Sequence, residues 1–143
     1  TAQGYPTMLG KFPSMNGADN VTLFRVEEMH LIAAETSLRA GNASDALSYL
    51  NNIPAIRGLG ADYYASATLE NILEERRKEF AFEGLRFHDL SRMGKDMPVI
   101  DSFKQSNDDL TGTPPAYGSY RYAYPIALSE RNANPNMVQN YGY

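Results

Sequence analysis

Thr68-Leu69-Glu70-Asn71-Ile72-Leu73-Glu74-Glu75-Arg76-Arg77-Lys78-Glu79-Phe80-Ala81-Phe82-Glu83-Gly84-Leu85-Arg86-Phe87-His88-Asp89-Leu90-Ser91-Arg92 is the stretch on which the fold of this 143-residue chain turns. Thr68 is a helix N-cap type, and Glu70 favours the positive end of a helix. Leu69, Leu73, Phe80, Phe87 and Leu90 build an apolar stripe at helical spacing, and Gly94 marks an end. The spacing predicts one long helix over 69–92. Continued by heptad, the stripe also takes in Arg76 and Glu83. From Glu70 to Arg92, eleven of the twenty-three residues are charged. A solvated face accounts for most of them, but not for charges aligned with the core.

Upstream, Phe24, Leu31 and Leu38 recur every seven residues, with Ala34 between them and Val26, Met29 and Ile32 alongside. This predicts a first helix over 24–40. Gly41 suits the position just past its end, and Asn42 can cap a second helix over 43–55 carrying Ala46, Leu47, Leu50 and Ile53. Pro54 should disturb that helix's last turn. Two antiparallel helices on a tight Gly-Asn turn make an αα-hairpin of tetratricopeptide type, with Ala34, Ala46 and Leu50 at the positions needing small or apolar residues.

The ends differ in texture. Residues 1–22 are rich in Gly, Pro, Asn and Met and read as an extended lead-in; 23–93 form the helical core; 94–143 return to turns. The closing segment holds Pro98, Pro114, Pro115, Pro125 and Pro135 and six of the ten tyrosines. The expected class is therefore all-α: a tetratricopeptide-like hairpin, a long third helix and an irregular Tyr/Pro-rich closing segment. Apolar residues make up 43% and charged residues 21%, so a real core is affordable and disorder is excluded. The 13 basic residues are interleaved with 17 acidic ones for a net charge of −4, which argues against nucleic acid. No apolar run approaches the ~20 residues that span a bilayer. With no cysteine, disulfides, thiol catalysis and Cys-ligated zinc are ruled out.

Burying a lone charge costs several kcal/mol, about 3–5 once a partner is removed, so the charges on the core side need partners. Glu28 and Glu35 lie seven apart on the apolar side of the first helix, matching Arg76 on the third. The expected solution is a structural ion-pair network of Arg25, Glu28, Glu35, Arg76, Arg77, Glu79, Glu83, Arg86, Asp89 and Arg92. In it Arg76 or Arg77 bonds Glu28 or Glu35, and Arg86 pairs with Glu83 or Asp89 at i,i+3. An acid/base pair for hydrolysis needs a carboxylate kept away from cations, and nearly every carboxylate here has one within a turn.

Glu75 to Arg92 closely resembles the signature ERRxExxFEGxRxxDLxR of the SusD/RagB family, outer-membrane nutrient-binding lipoproteins of Bacteroidetes-type bacteria. Arg25-Val26-Glu27-Glu28-Met29 with Leu31 and Ala34-Glu35 is similar to the family's RxxExxLxxAE helix. Tyr124-Pro125-Ile126, Glu130, Asn134-Pro135-Asn136 and Gln139-Asn140-Tyr141-Gly142-Tyr143 resemble its closing segment. The family's usual Asn-x-Ile-Arg-x-Arg stretch reads Asn51-Asn52-Ile53-Pro54-Ala55-Ile56-Arg57 here. The resemblance implies that residues 1–143 are the C-terminal part of a SusD-like domain whose N-terminal part is absent. It implies a non-enzymatic protein, lipid-anchored at the cell surface through that missing part. Such a protein binds oligosaccharides or other nutrients and delivers them to a SusC-like TonB-dependent transporter. It also implies that the motif residues are architectural and are not the glycan contacts.

Sugars are held by aromatic rings and hydrogen-bonding side chains. The candidate ligand residues are Tyr63, Tyr64 and Tyr117, with Asn107 and Asp108. Tyr120, Tyr122 and Tyr124 alternate as a β-segment would and are expected to pack. His30 and His88 lack the spacing of a zinc helix, so no metal or cofactor is expected. Asp108-Asp109 lacks the ligand pattern of an EF-hand. Two further readings stay open: a tetratricopeptide-like protein–protein adaptor, and a carbohydrate-active hydrolase using Asp108 or Asp109.

Overall fold

Val26–Arg39 (α1) and Ala43–Ile56 (α2) form the hairpin that the apolar spacing predicts. The turn between them needs Gly41, at φ +84°, a left-handed conformation that a Cβ disfavours. The Gly41 N–H bonds Leu38 O at 3.1 Å and the Asn42 N–H bonds Ser37 O at 2.9 Å, the paired closure that satisfies the last carbonyls of α1. Asn42 stands at the N-cap of α2 without a side-chain capping bond. Arg57 Nη2 on Glu27 Oε1 at 3.1 Å links the end of α2 to the start of α1. The computed structural model describes residues 11–12, 16–98 and 115–143, and those residues hold helices and turns without a strand.

The chain divides into two units, Thr1–Ser66 and Ala67–Tyr143. In the first, Leu31 and Ala34 of α1 and Ala46, Leu50 and Ile53 of α2 are fully buried. Pro54 is buried too, and α2 runs through it to Ile56, so the disturbance expected there does not end the helix. Phe24, expected to open the apolar stripe, precedes α1 and is 80% exposed. Val26, Met29 and Ile32 are also exposed, because only the Leu31/Ala34 side of α1 faces α2.

In the second unit, Thr68 Oγ1 accepts from the Asn71 N–H at 3.1 Å and starts Leu69–Glu79 (α3), as the sequence predicts. The single long third helix does not form. Phe80 closes the last turn of α3, Phe82 takes φ +67°, Gly84 follows at +79°, and a separate helix spans Arg86–Arg92 (α4). A left-handed aromatic residue is strained and cannot continue a helix. The break turns the chain back: Lys95, just past α4, reaches Glu70 in the first turn of α3 with Nζ–Oε1 at 2.6 Å. Ile72, Leu73, Phe80 and Leu90 are buried.

The closing segment holds a 3₁₀ turn at Tyr120–Tyr122 and a short helix at Leu128–Ala133 (α5). The β-like alternation of Tyr120, Tyr122 and Tyr124 is therefore not a strand. The N–H groups of Tyr122 and Ala123 bond the carbonyls of Ser119 and Tyr120 at 3.0 Å, three residues back in each case.

Candidate functional site

Asp89 of α4 sits at the centre of a charged cluster. Arg76 Nε bonds its Oδ1 at 2.9 Å and its Oδ2 at 2.8 Å, and Arg92 Nε bonds Oδ1 at 3.0 Å. The Arg76 and Asp89 side chains are 7% and 4% exposed, and the Arg76 guanidinium also lies 5.0 Å from the centre of the Phe80 ring. Arg77 instead bonds Glu74 through Nε and Nη2 at 2.7 and 2.6 Å on the exposed side of α3. That hydrogen bond holds the Glu74 carboxyl below the usual range, against some burial and helped by the charges of Arg77, Lys78 and Arg86; it also raises Arg77. Glu70, likewise, is held low by its hydrogen bond to Lys95 and by that ammonium charge.

Glu35 accepts from Arg39 Nε at 2.9 Å, and Arg25 Nη1 is 3.5 Å from Glu27. Glu28 lies half-buried in the first turns of α1, and Glu79 and Glu83 flank the break after α3. The pairing expected for Arg86 does not occur: Asp89 is taken by Arg76 and Arg92, and Arg86 Nε and Nη1 are buried with no hydrogen-bond partner. The bridge expected from Arg76 or Arg77 to Glu28 or Glu35 would join the two units and stays a proposal.

Of the candidate ligand residues, Tyr63 and Tyr64 follow α2 with their rings edge to face, centres 4.9 Å apart, and Tyr63 is 46% exposed. Asn51 holds this loop in place. Its Oδ1 accepts from the Tyr64 N–H at 2.8 Å and its Nδ2 donates to Tyr64 O at 3.0 Å, as a strand neighbour would. Next to the loop lies a groove of about 370 Å³ carrying Ser44, Ser48, Asn51, Asn52 and Asp62. Tyr117, in the second unit, is exposed, its ring edge-on to Tyr122 at 5.6 Å and its N–H bonded to Asp96 Oδ1 at 2.7 Å. Asn107 and Asp108, with Asp109, lie outside the described residues. His30 faces Asn52 at 3.4 Å and the Tyr49 ring at 6.0 Å.

In the sequence Asn51 stands out only as part of the family stretch; its place as an amide between Leu50 and Ile53 on the buried side of α2 is the signal for its structural role. Gln139, quoted within the closing segment, holds main chain in the same way. Its Oε1 accepts from the Ile126 N–H at 2.8 Å and its Nε2 donates to Ile126 O at 3.1 Å.

The charged cluster is bonded within the protein, and Tyr63 and Tyr117 are exposed; the comparisons with known proteins agree on the lineage. The SusD family profile matches residues 10–143. The chain belongs to the SusD family. It is 31% identical over 142 residues to the starch-binding protein SusD of Bacteroides thetaiotaomicron, covering 99% of this chain and 24% of that protein. A SusD superfamily crystal structure from Bacteroides vulgatus superposes with a TM-score of 0.69 at 33% identity, covering 85% of this chain and 28% of that one. Surface glycan-binding protein A from Bacteroides uniformis gives 0.65 at 31% identity, covering 85% and 28%. The chain thus spans about a quarter of the length of these relatives.

Proposed function

We propose that this chain is the C-terminal part of a cell-surface glycan-binding protein that passes its ligand to a SusC-like TonB-dependent outer-membrane transporter. The observation that carries the reading is membership of a family whose relatives are a starch-binding protein and a surface glycan-binding protein, matched along nearly the whole chain. Two features of the chain support it. The exposed Tyr63 directly follows Asp62 of a groove carrying Ser44, Ser48, Asn51 and Asn52, an aromatic ring near amide and hydroxyl groups such as hold a sugar by its C–H face and its hydroxyls. Much of the charged signature, by contrast, is bonded within the protein: Asp89 accepts from Arg76 and Arg92, and Arg77 bonds Glu74. The role is binding without catalysis, with Tyr63, Tyr64, Asn107, Asp108 and Tyr117 as the ligand residues of this part. A lipid anchor belongs to a preceding segment of the longer protein, and no described helix is long and apolar enough to cross a membrane.

A glycan array probed with the purified chain tests this. Retention on a defined oligosaccharide, weakened about tenfold or more in Tyr63→Ala or Tyr117→Ala, is the expected result. A chain that retains no glycan, or that releases reducing sugar from one, would overturn it. Delivery is tested apart, by co-purification of the tagged full-length protein with an outer-membrane transporter.

A further inference from the structure

The last residues of the chain hold the backbone at 123–126 from several sides. Asn140 Nδ2 donates to Tyr124 O at 2.7 Å, Tyr143 Oη donates to Ala123 O at 2.9 Å, and Gln139 bonds both backbone groups of Ile126. Gly142 makes the approach possible: a Cβ there would run into Cγ of Tyr120. All of these bonds fix main chain. The Tyr124 ring that they carry is 80% exposed. An exposed ring carried on main chain that is already held has met the backbone part of the ordering cost of binding.

Beside that ring is a cavity of about 300 Å³ lined by Phe87, Met97, Arg121, Tyr122 and Tyr124. Phe87 stands between two tyrosines, its ring centre 5.7 Å from Tyr122 and 6.2 Å from Tyr124. The Tyr122 hydroxyl donates to Lys95 O, so it is engaged by the protein. Arg121 brings the one charged side chain of the lining; its Nε reaches the Tyr120 hydroxyl at 3.5 Å, and its planar fork has further donors besides. The volume is at the lower limit for small-molecule sites, which run from about 300 to 1,000 Å³, so it suits one ring and not a run of them.

We infer that this cavity binds the terminal pyranose ring of a glycan, with the sugar's C–H face on Tyr124 and Phe87 and its hydroxyl or carboxylate oxygens on Arg121. The inference rests on the glycan-binding reading and assigns it a subsite in the 87–124 region.

The test is saturation-transfer NMR on the full chain with methyl α-glucoside, methyl β-galactoside, methyl α-mannoside and glucuronate. Intact protein, Tyr124→Ala, Arg121→Gln and, as control, Tyr141→Ala, whose ring is 92% exposed, are compared. The expected result is transfer to at least one sugar, with its Kd raised about tenfold in Tyr124→Ala, raised in Arg121→Gln and unchanged in Tyr141→Ala. Circular dichroism keeps a folding defect from passing as lost binding; should Tyr124→Ala misfold, Arg121→Gln decides. Binding that is equal in all variants overturns the subsite and leaves the glycan reading standing. No transfer to any of the four sugars, from a chain that a glycan array shows to bind oligosaccharides, also overturns the subsite alone. Failure on both removes the two readings together.

Discussion

Arg76 and Asp89 are thirteen residues apart, and on a straight helix that is a rise of about 20 Å. Their bonds of 2.8 and 2.9 Å exist only because the chain reverses between them. Removing the acceptor should therefore be severe. Asp89→Ala leaves a buried guanidinium without its carboxylate, and we expect a loss of about 3–5 kcal/mol, read by urea unfolding. Glu74→Ala, which removes a pair whose side chains are 46% and 42% exposed, should cost about 0–1 kcal/mol. Equal losses in the two variants would contradict the assignment. Gly142→Ala belongs to the same scale: at φ +95° and against Tyr120, its methyl group must push the Tyr120 ring away. A loss of about 1–3 kcal/mol and shifted Tyr120 ring resonances are expected.

At the scale of elements, helix starts and stops carry the argument. Thr68→Ala removes the bond to the Asn71 N–H and should cost about 0.5–2 kcal/mol, measured as helical signal lost on urea titration. Asn51→Leu keeps the volume of α2's buried side but leaves both backbone groups of Tyr64 without their partner. It should cost about 1–3 kcal/mol and open the loop after α2 to limited proteolysis. Protection of that loop in the variant would show that Asn51 does not hold it. The hairpin itself was legible from spacing and from Gly41. The break between α3 and α4 was not, because Phe80, Phe87 and Leu90 keep helical spacing across a turn that only backbone angles reveal.

For the molecule as a whole, pH and salt dependence follow from the exposed pairs of α3. Glu70 and Glu74 titrate below the usual carboxylate range, so the unfolded chain takes up protons before the folded one. Their stabilising contribution is complete above the ordinary carboxylate values and is lost as pH falls through the lowered folded ones. The stability difference between the intact chain and Lys95→Ala should accordingly shrink toward zero in acid, and also in high salt, where exposed charges are screened. A difference unchanged from neutral pH to strong acid would refute the Glu70–Lys95 pair. Tyr122 acts at the other end of the scale. Burial first, then Asp96 and Tyr117, push its phenol up, so its contribution holds below the ordinary tyrosine range and falls away as pH rises past it.

Local rules determined what the sequence alone could tell: three helical segments from their apolar period, the Gly41 turn, the Thr68 cap and the family from a charge-specific signature. Each depends on neighbours within a few residues, where spacing is a faithful guide to position. Tertiary structure decided that Arg76 meets Asp89, that Arg86 keeps two buried nitrogens unpartnered, and that Tyr124 stands in water while Phe80 is buried. Those outcomes turn on one left-handed residue, Phe82, and on hydrogen bonds between groups 13 to 20 residues apart. No period in a sequence records where a chain turns back on itself, and after each reversal it is distance in space that selects the partners.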